Sequence, residues 1–196
     1  AEMVQKMRDG VDGWGNTNWY DKVYGTGTRT HHNISATGGS DRVRFFASIG
    51  YLNEDGNIDN YGYNRLNLRS NIDAKLTKSL TFTLGVSGRI EKRDSPRYSA
   101  DPNAWHNVPQ QIIRALPYVP DTYEYEGKTY NVSPPTASSP VAPVASINES
   151  GYSKSNYSYI QSNFSLKYDA PWLKGLSFKF QGAYDLTYNF SKILSN

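Results

Sequence analysis

The chain has no cysteine, and it has no apolar run near the roughly 18–20 residues that a membrane-crossing helix requires. The first absence excludes a disulfide framework, thiolate metal sites and thiol nucleophiles, and leaves the compartment open. The second excludes helical spans but not spanning strands, whose hydropathy signal is much weaker. Charge of one sign is never concentrated: 21 basic against 18 acidic residues give a net charge of +3, without a block of five or six like charges. No nucleic-acid partner is therefore expected. Catalytic signatures are missing as well, with no G-x-S-x-G, P-loop or H-E-x-x-H spacing, so neither an enzyme nor a cofactor site is expected. His31 and His32 point to opposite faces of a strand, and Asp55-Gly56-Asn57-Ile58-Asp59 lacks the calcium-loop spacing, so no metal site is expected. The opening AEMVQKMRDG is too polar for a signal peptide. It suits a short helix with Val4 and Met7 on one side and Gly10 as its stop.

What is present is tyrosine, 16 residues of it, with aromatics at 14%, abundant Asn and Ser, and few aliphatic residues. Such material builds a sheet with one apolar and one wet face more readily than a thick core. Period-two alternation begins at about Arg29, with His32, Ile34 and Ala36 opposing His31, Asn33, Ser35 and Thr37. After a tight turn at residues 38–41, Val43, Phe45, Ala47, Ile49 and Tyr51 share a face. The clearest run sets Leu66, Leu68, Ile72, Ala74 and Leu76 against Arg65, Asn67, Arg69, Asn71, Asp73 and Lys75. Beyond a turn at 77–79, Leu80, Phe82, Leu84, Val86 and Ile90 oppose Thr81, Thr83, Ser87, Arg89 and Glu91. Alternation resumes near Asn156 with Ile160, Phe164, Leu166 and Tyr168, and after a turn at 169–175 with Phe178, Phe180, Tyr184, Leu186, Tyr188 and Phe190.

Six strands follow, organised as a loop with a short helix (1–28), four strands (29–91) around a loop at 53–62, a long loop (92–155) and two strands (156–190). Most of the ten prolines lie in the long loop, which also suits a small helix from Gln110 to Leu116, ended by Pro117. Several strands reach ten residues or more, against a usual mode of roughly 5–6. In an up-and-down order every short turn (38–41, 77–79, 169–175) falls at one end and every long loop (53–62, 92–155) at the other. A sandwich has no reason to sort its loops by length, whereas outer-membrane barrels do. The fold class expected is all-β: an antiparallel, up-and-down segment of a transmembrane β-barrel. A soluble, secreted carbohydrate-binding module is the alternative. Tyr51, Tyr63, Tyr157, Tyr168, Trp172, Tyr188 and Phe190 fall near strand ends, where an aromatic girdle would sit.

A series of short motifs carries a family likeness. Asn16-Thr17-Asn18-Trp19-Tyr20-Asp21, His32-Asn33-Ile34-Ser35, Gly38-Gly39-Ser40 and Ser48-Ile49-Gly50-Tyr51-Leu52-Asn53-Glu54-Asp55-Gly56 come first. Tyr63-Asn64-Arg65-Leu66-Asn67-Leu68-Arg69-Ser70-Asn71-Ile72-Asp73 and Phe164-Ser165-Leu166-Lys167-Tyr168-Asp169 continue the series. Together they resemble the SusC-like branch of TonB-dependent outer-membrane receptors, with Asn18 where that family commonly has Asp. The resemblance implies a 22-stranded barrel around a plug, of which this chain would hold about six strands. It further implies an outer-membrane location in contact with lipid, import of oligosaccharides or similar nutrients, a SusD-like surface lipoprotein as partner, and energy from TonB through parts not contained here. The lumen face would then carry Arg65, Asn67, Arg69, Asn71, Asp73, Lys75 and Arg89. Contacts to ligand or partner are expected from the long-loop aromatics Trp105, Tyr118, Tyr123, Tyr125 and Tyr130, which can stack on sugar rings.

Overall fold

The computed structural model describes residues 1–11, 14–97, 108–131 and 143–195. Two short helices, α1 (Glu2–Asp9) and α2 (Trp19–Val23), precede β1 (Thr28–Gly39), β2 (Val43–Asp55), β3 (Gly62–Lys75) and β4 (Leu80–Pro96). Helix α3 (Val108–Arg114), the hairpin β5 (Tyr123–Tyr125) and β6 (Lys128–Tyr130), and α4 (Pro143–Asn148) follow; β7 (Gly151–Asp169) and β8 (Ser177–Ser195) close the chain. The long strands form one antiparallel sheet in the order β1-β2-β3-β4-β7-β8, the up-and-down barrel segment expected.

The short turns close by local hydrogen bonds. Ser40 Oγ accepts the amides of Arg42 and Val43, Leu76 N donates to Leu80 O, and Ala170 N donates to Leu176 O. Gly175 has φ +92°, a conformation open to glycine at little cost.

Strand register lines apolar residues into rows across all six strands. One row is Ile34, Ile49, Leu68, Gly88, Ile160 and Leu186; another is Gly38, Phe45, Ile72, Leu84, Phe164 and Gly182. These side chains have no second layer over them among the described residues: Ile34 is 72% exposed and Phe180 65%. A soluble sheet would cover such a face. Along β4 the uncharged stretch of this face runs from Leu80 to Ile90. Ten residues at about 3.4 Å, tilted by about 40°, give an apolar band about 26 Å tall, matching the roughly 25 Å of outer-membrane barrels.

Three strands outrun their expected ends. β4 continues to Pro96, β7 begins at Gly151 and β8 reaches Ser195. Beyond the band Lys92, Asp94, Lys154 and Asn156 enter the outward positions of β4 and β7, so alternation fades although the backbone ladder continues.

The long connections, with the N-terminal segment, assemble a cap at one end of the sheet. Its core is Val23, Ile58, Val108 and Ile147, with Tyr24, Tyr61 and Ile112 packed around it. Asn18 starts α2 as an N-cap, its Oδ1 accepting the amides of Tyr20 and Asp21 at 3.2 and 3.4 Å, a role that Asn fills as well as Asp. Trp19 Nε1 donates to Leu116 O, Gly15 N to Tyr118 O, and Thr17 N to Pro117 O. Residues 1–28 are thus more than a loop with one helix: they are stitched to the chain a hundred positions on. α3 begins at Val108 and ends at Arg114, two residues earlier at each end than expected.

Candidate functional site

The second face of the sheet carries the chemistry. Alternation fixes it: odd positions in β1, β3, β4, β7 and β8 and even positions in β2 share this face through the register. Arg65, Asn67, Arg69, Asn71, Asp73, Lys75 and Arg89 all lie on it. Near the cap, Glu91 is 5% exposed and takes Arg89 Nε at 3.1 Å on one oxygen and Arg93 Nη2 at 3.4 Å on the other. These two charge-assisted contacts offset the cost of burying the carboxylate.

Arg89 lies over the Tyr159 ring at 4.5 Å, and Arg93 stands 5.4 Å from the ring of Tyr63 and 5.5 Å from that of Tyr157. Tyr63 and Tyr157, expected in an outer girdle, therefore point the other way: Tyr63 is the register partner of Arg93 and Tyr157 that of Glu91. Tyr51, Tyr168, Tyr188 and Phe190 do lie on the apolar face. Arg65, the register partner of Glu91, has a buried Nε with no hydrogen-bond partner. Two guanidiniums thus share one buried carboxylate with a third, that of Arg65, on the neighbouring strand, leaving a positive excess beside Tyr63, Tyr157 and Tyr159.

Further from the cap the face becomes amide-rich. Gly50 sits between Asn33 and Asn67 in the register, and Gly85 between Asn71 and Asn163. A Cβ at Gly50 would come within 3.2 Å of Asn33 Oδ1, and one at Gly85 would collide with the Asn163 amide. Each bare glycine lets two asparagine side chains converge across the middle strand. Arg69, Asn71, Ser87, Gln161, Asn163 and Asp185 line an open depression of about 460 Å³ there. Asp73 is engaged by the Thr83 hydroxyl at 2.8 Å. Lys75 lies at the turn end, in a row with Thr81, Lys167 and Lys179.

The long-loop aromatics are only partly together. Trp105 lies outside the described residues. Tyr118 packs edge-on against Trp14 at 5.9 Å and so belongs to the cap. Tyr123 and Tyr125 stack at 6.2 Å with an 18° interplanar angle, and Tyr130 pairs with Tyr123 across the hairpin. Lys128 Nζ stands 5.2 Å over the Tyr130 ring. The hairpin turn holds Glu126 and Gly127 at φ 50° and 74°, the two successive positive values of a type I′ turn. One face of this ribbon therefore presents three tyrosines and a lysine. Arg93 and Tyr159 escaped the sequence reading, although counting by twos from Arg89 and Glu91 reaches Arg93, and Tyr63 and Tyr157 were placed on the wrong face.

No family model matches the chain. Over 84 residues it is 33% identical to TonB-dependent receptor P3 of Formosa agariphila, covering 43% of this chain and 8% of that protein. TonB-dependent receptor P39 of the same organism is 30% identical over 74 residues, 38% of this chain and 7% of its own. The chain thus matches less than a tenth of the length of these curated relatives. Among solved structures, the RagAB peptide importer in its closed-closed state superposes with a TM-score of 0.66 at 19% identity, over 90% of this chain and 19% of that one. A structure of the RagAB peptide transporter gives 0.66 at 21%, again over 90% and 19%. At that identity the likeness shows the fold, shared with about a fifth of each of those chains.

Proposed function

We propose that this chain, a partial stretch of the β-barrel of a SusC-like TonB-dependent receptor in the cell outer membrane, forms part of a nutrient-import path whose wall is the charged and amide-rich face. The carrying observation is the division of one sheet into an uncharged band about 26 Å tall and an opposite face bearing Arg65, Arg69, Arg89, Glu91 and Arg93. Full charges at mid-strand are tolerable only where water or protein fills the lumen. The same division disfavours a soluble carbohydrate-binding module, which would have to expose the whole apolar band to water.

The intact receptor would take up an oligosaccharide or similar oligomeric nutrient, with a SusD-like surface lipoprotein over the cap end and TonB supplying energy through parts beyond this chain. Paired amides at Asn33/Asn67 and Asn71/Asn163 suit hydroxyl-rich cargo, offering donors and acceptors side by side. The Tyr123–Tyr125–Tyr130 ribbon suits sugar rings. A peptide cargo is the second reading, favoured by the fold likeness to a peptide importer and by the arginine excess, which suits carboxylates.

Uptake decides between them. The intact receptor and its lipoprotein would be expressed in a strain lacking both, and accumulation of labelled oligosaccharides and labelled peptides measured. Oligosaccharide uptake that falls in an Asn67→Ala/Asn71→Ala variant, with peptide uptake at background, supports the first reading. Peptide uptake alone transfers the assignment to the second. Failure of both, with the receptor present at normal abundance, refutes the import role.

A further inference from the structure

The charges of the lumen face do not balance. On β3 and β4 the register sets one arginine in each of four successive rows: Arg93 beside Tyr63, Arg65 beside Glu91, Arg89 beside Asn67 and Arg69 beside Ser87. Neighbouring rows lie two residues apart along a strand, about 6.8 Å. Across all six strands these rows hold five guanidiniums and three carboxylates. Glu54 pairs with Arg29 of its own row at 3.1 Å, and Glu91 takes Arg89 and Arg93. Asp185 shares the row of Arg69 but lies three strands away, about 14 Å. Further down β3, Asp73 accepts the Thr83 hydroxyl. Arg65 and Arg69 therefore have no ion-pair partner among the described residues, and the buried Nε of Arg65 has no acceptor.

A guanidinium with open donors is complementary to a planar carboxylate, which it grips through two parallel hydrogen bonds. The surroundings narrow what carries that carboxylate. Tyr63, Tyr157 and Tyr159 stand against the upper guanidiniums and offer ring faces on which a sugar packs. Asn67 shares the row of Arg89 and meets Asn33 across Gly50; Asn71, one row below Arg69, meets Asn163 across Gly85. Amides that read hydroxyls thus interleave with guanidiniums that read carboxylates. A neutral glycan would leave Arg65 and Arg69 unanswered, and a small inorganic anion would leave the amides and rings so. The paired amides and ring faces favour a sugar over a peptide.

We propose that the cargo is an acidic oligosaccharide, and that Arg65 and Arg69 are the specificity-determining residues that hold its carboxylates. Glu91 acts beside them by fixing Arg89 and Arg93 against the tyrosine rings. The assignment rests on the import role proposed above and adds the charge of what is imported.

In the test, the intact receptor and its lipoprotein, in a strain lacking both, are offered labelled uronate-bearing oligosaccharides, the same oligosaccharides with their carboxyls reduced to alcohols, and acidic peptides. The wild type should accumulate the uronates in preference to the reduced pool. Arg65→Gln/Arg69→Gln should lower that preference roughly tenfold or more, the size of a lost charge-assisted hydrogen bond. Arg65→Lys/Arg69→Lys should recover part of it, keeping the charge without the planar fork. No preference in the wild type, or uptake of peptides alone, overturns the proposal and leaves import standing. So does an equal fall for both oligosaccharide pools in the glutamine variant, which would assign the arginines to holding the receptor's own structure. Uptake of nothing, with the receptor at normal abundance, refutes the import role itself.

Discussion

Val86→Arg tests the two-faced wall most directly. Val86 lies on β4, third in the sheet's path from the later edge, and its row of Ala36, Ala47, Ser70, Ser162 and Tyr184 spans all six strands. The uncharged stretch runs from Leu80 to Ile90, so Val86 sits about 3 Å from its midplane and Ile90 about 13 Å from it, at about 3.4 Å per residue and a tilt of about 40°. An arginine on a barrel's lipid face costs about 2–4 kcal/mol at the midplane and about 0–1 near the interface. Val86→Arg should therefore destabilise by about 2–4 kcal/mol, and Ile90→Arg by less than about 1 kcal/mol because its side chain can reach the headgroups. Ser87→Arg, one residue along but on the lumen face beside Gln161, should stay within about 1 kcal/mol. The assay is guanidinium unfolding of the intact receptor refolded into lipid vesicles, followed by tryptophan fluorescence and by mobility of unheated samples in gels. Equal losses for Val86→Arg and Ser87→Arg, or a greater loss at Ile90 than at Val86, would refute the assignment of faces.

Three other outcomes are expected. Gly15→Ala should loosen the cap by about 1–3 kcal/mol, since its Cβ would stand 2.5 Å from the Val119 carbonyl carbon and oxygen, backbone that cannot swing aside; faster limited proteolysis near residues 14–22 reads this. Trp19→Phe keeps most of the buried ring but strands Leu116 O, and should cost about 1 kcal/mol in cap protection measured by hydrogen exchange. Glu91→Gln leaves Arg89 and Arg93 without their counter-charge, and should lower stability by about 1–3 kcal/mol, less than for a wholly buried network because both guanidiniums still reach water; the unfolding midpoint against the wild type checks it.

The sheet was legible because both of its faces meet imposed environments. Hydrocarbon on one side and a wet lumen on the other hold Leu66 to Leu76 to strict alternation, and the same pressure writes β4 from Leu80 to Ile90. Where that pressure stops, the pattern stops: Lys92, Asp94, Lys154 and Lys192 occupy the outward positions of β4, β7 and β8, so the strands outlast their signature. The positions of Arg65 to Lys75 and Arg89 on one face were likewise readable by counting in twos. That Tyr63 and Tyr157 turn inward was readable by the same count, but their nearness to strand ends suggested a girdle instead. The cap was not legible, since α2 spans five residues and its partners lie a hundred positions away. Only Asn18, an N-cap ahead of Trp19, marked its beginning.

That separation sets an order of assembly. Each barrel strand pairs with a neighbour in sequence, except that β7 must find β4 across residues 97–150. Hairpins so close in sequence can zip up progressively at small entropic cost. The bonds from Gly15, Thr17 and Trp19 to residues 116–118 cannot form until all of β1 to β4 has been threaded and α3 has emerged at the same side of the membrane. The first residues of this stretch are therefore among the last to find their places. A mutation in the cap should leave the wall able to insert while slowing the step that finishes it.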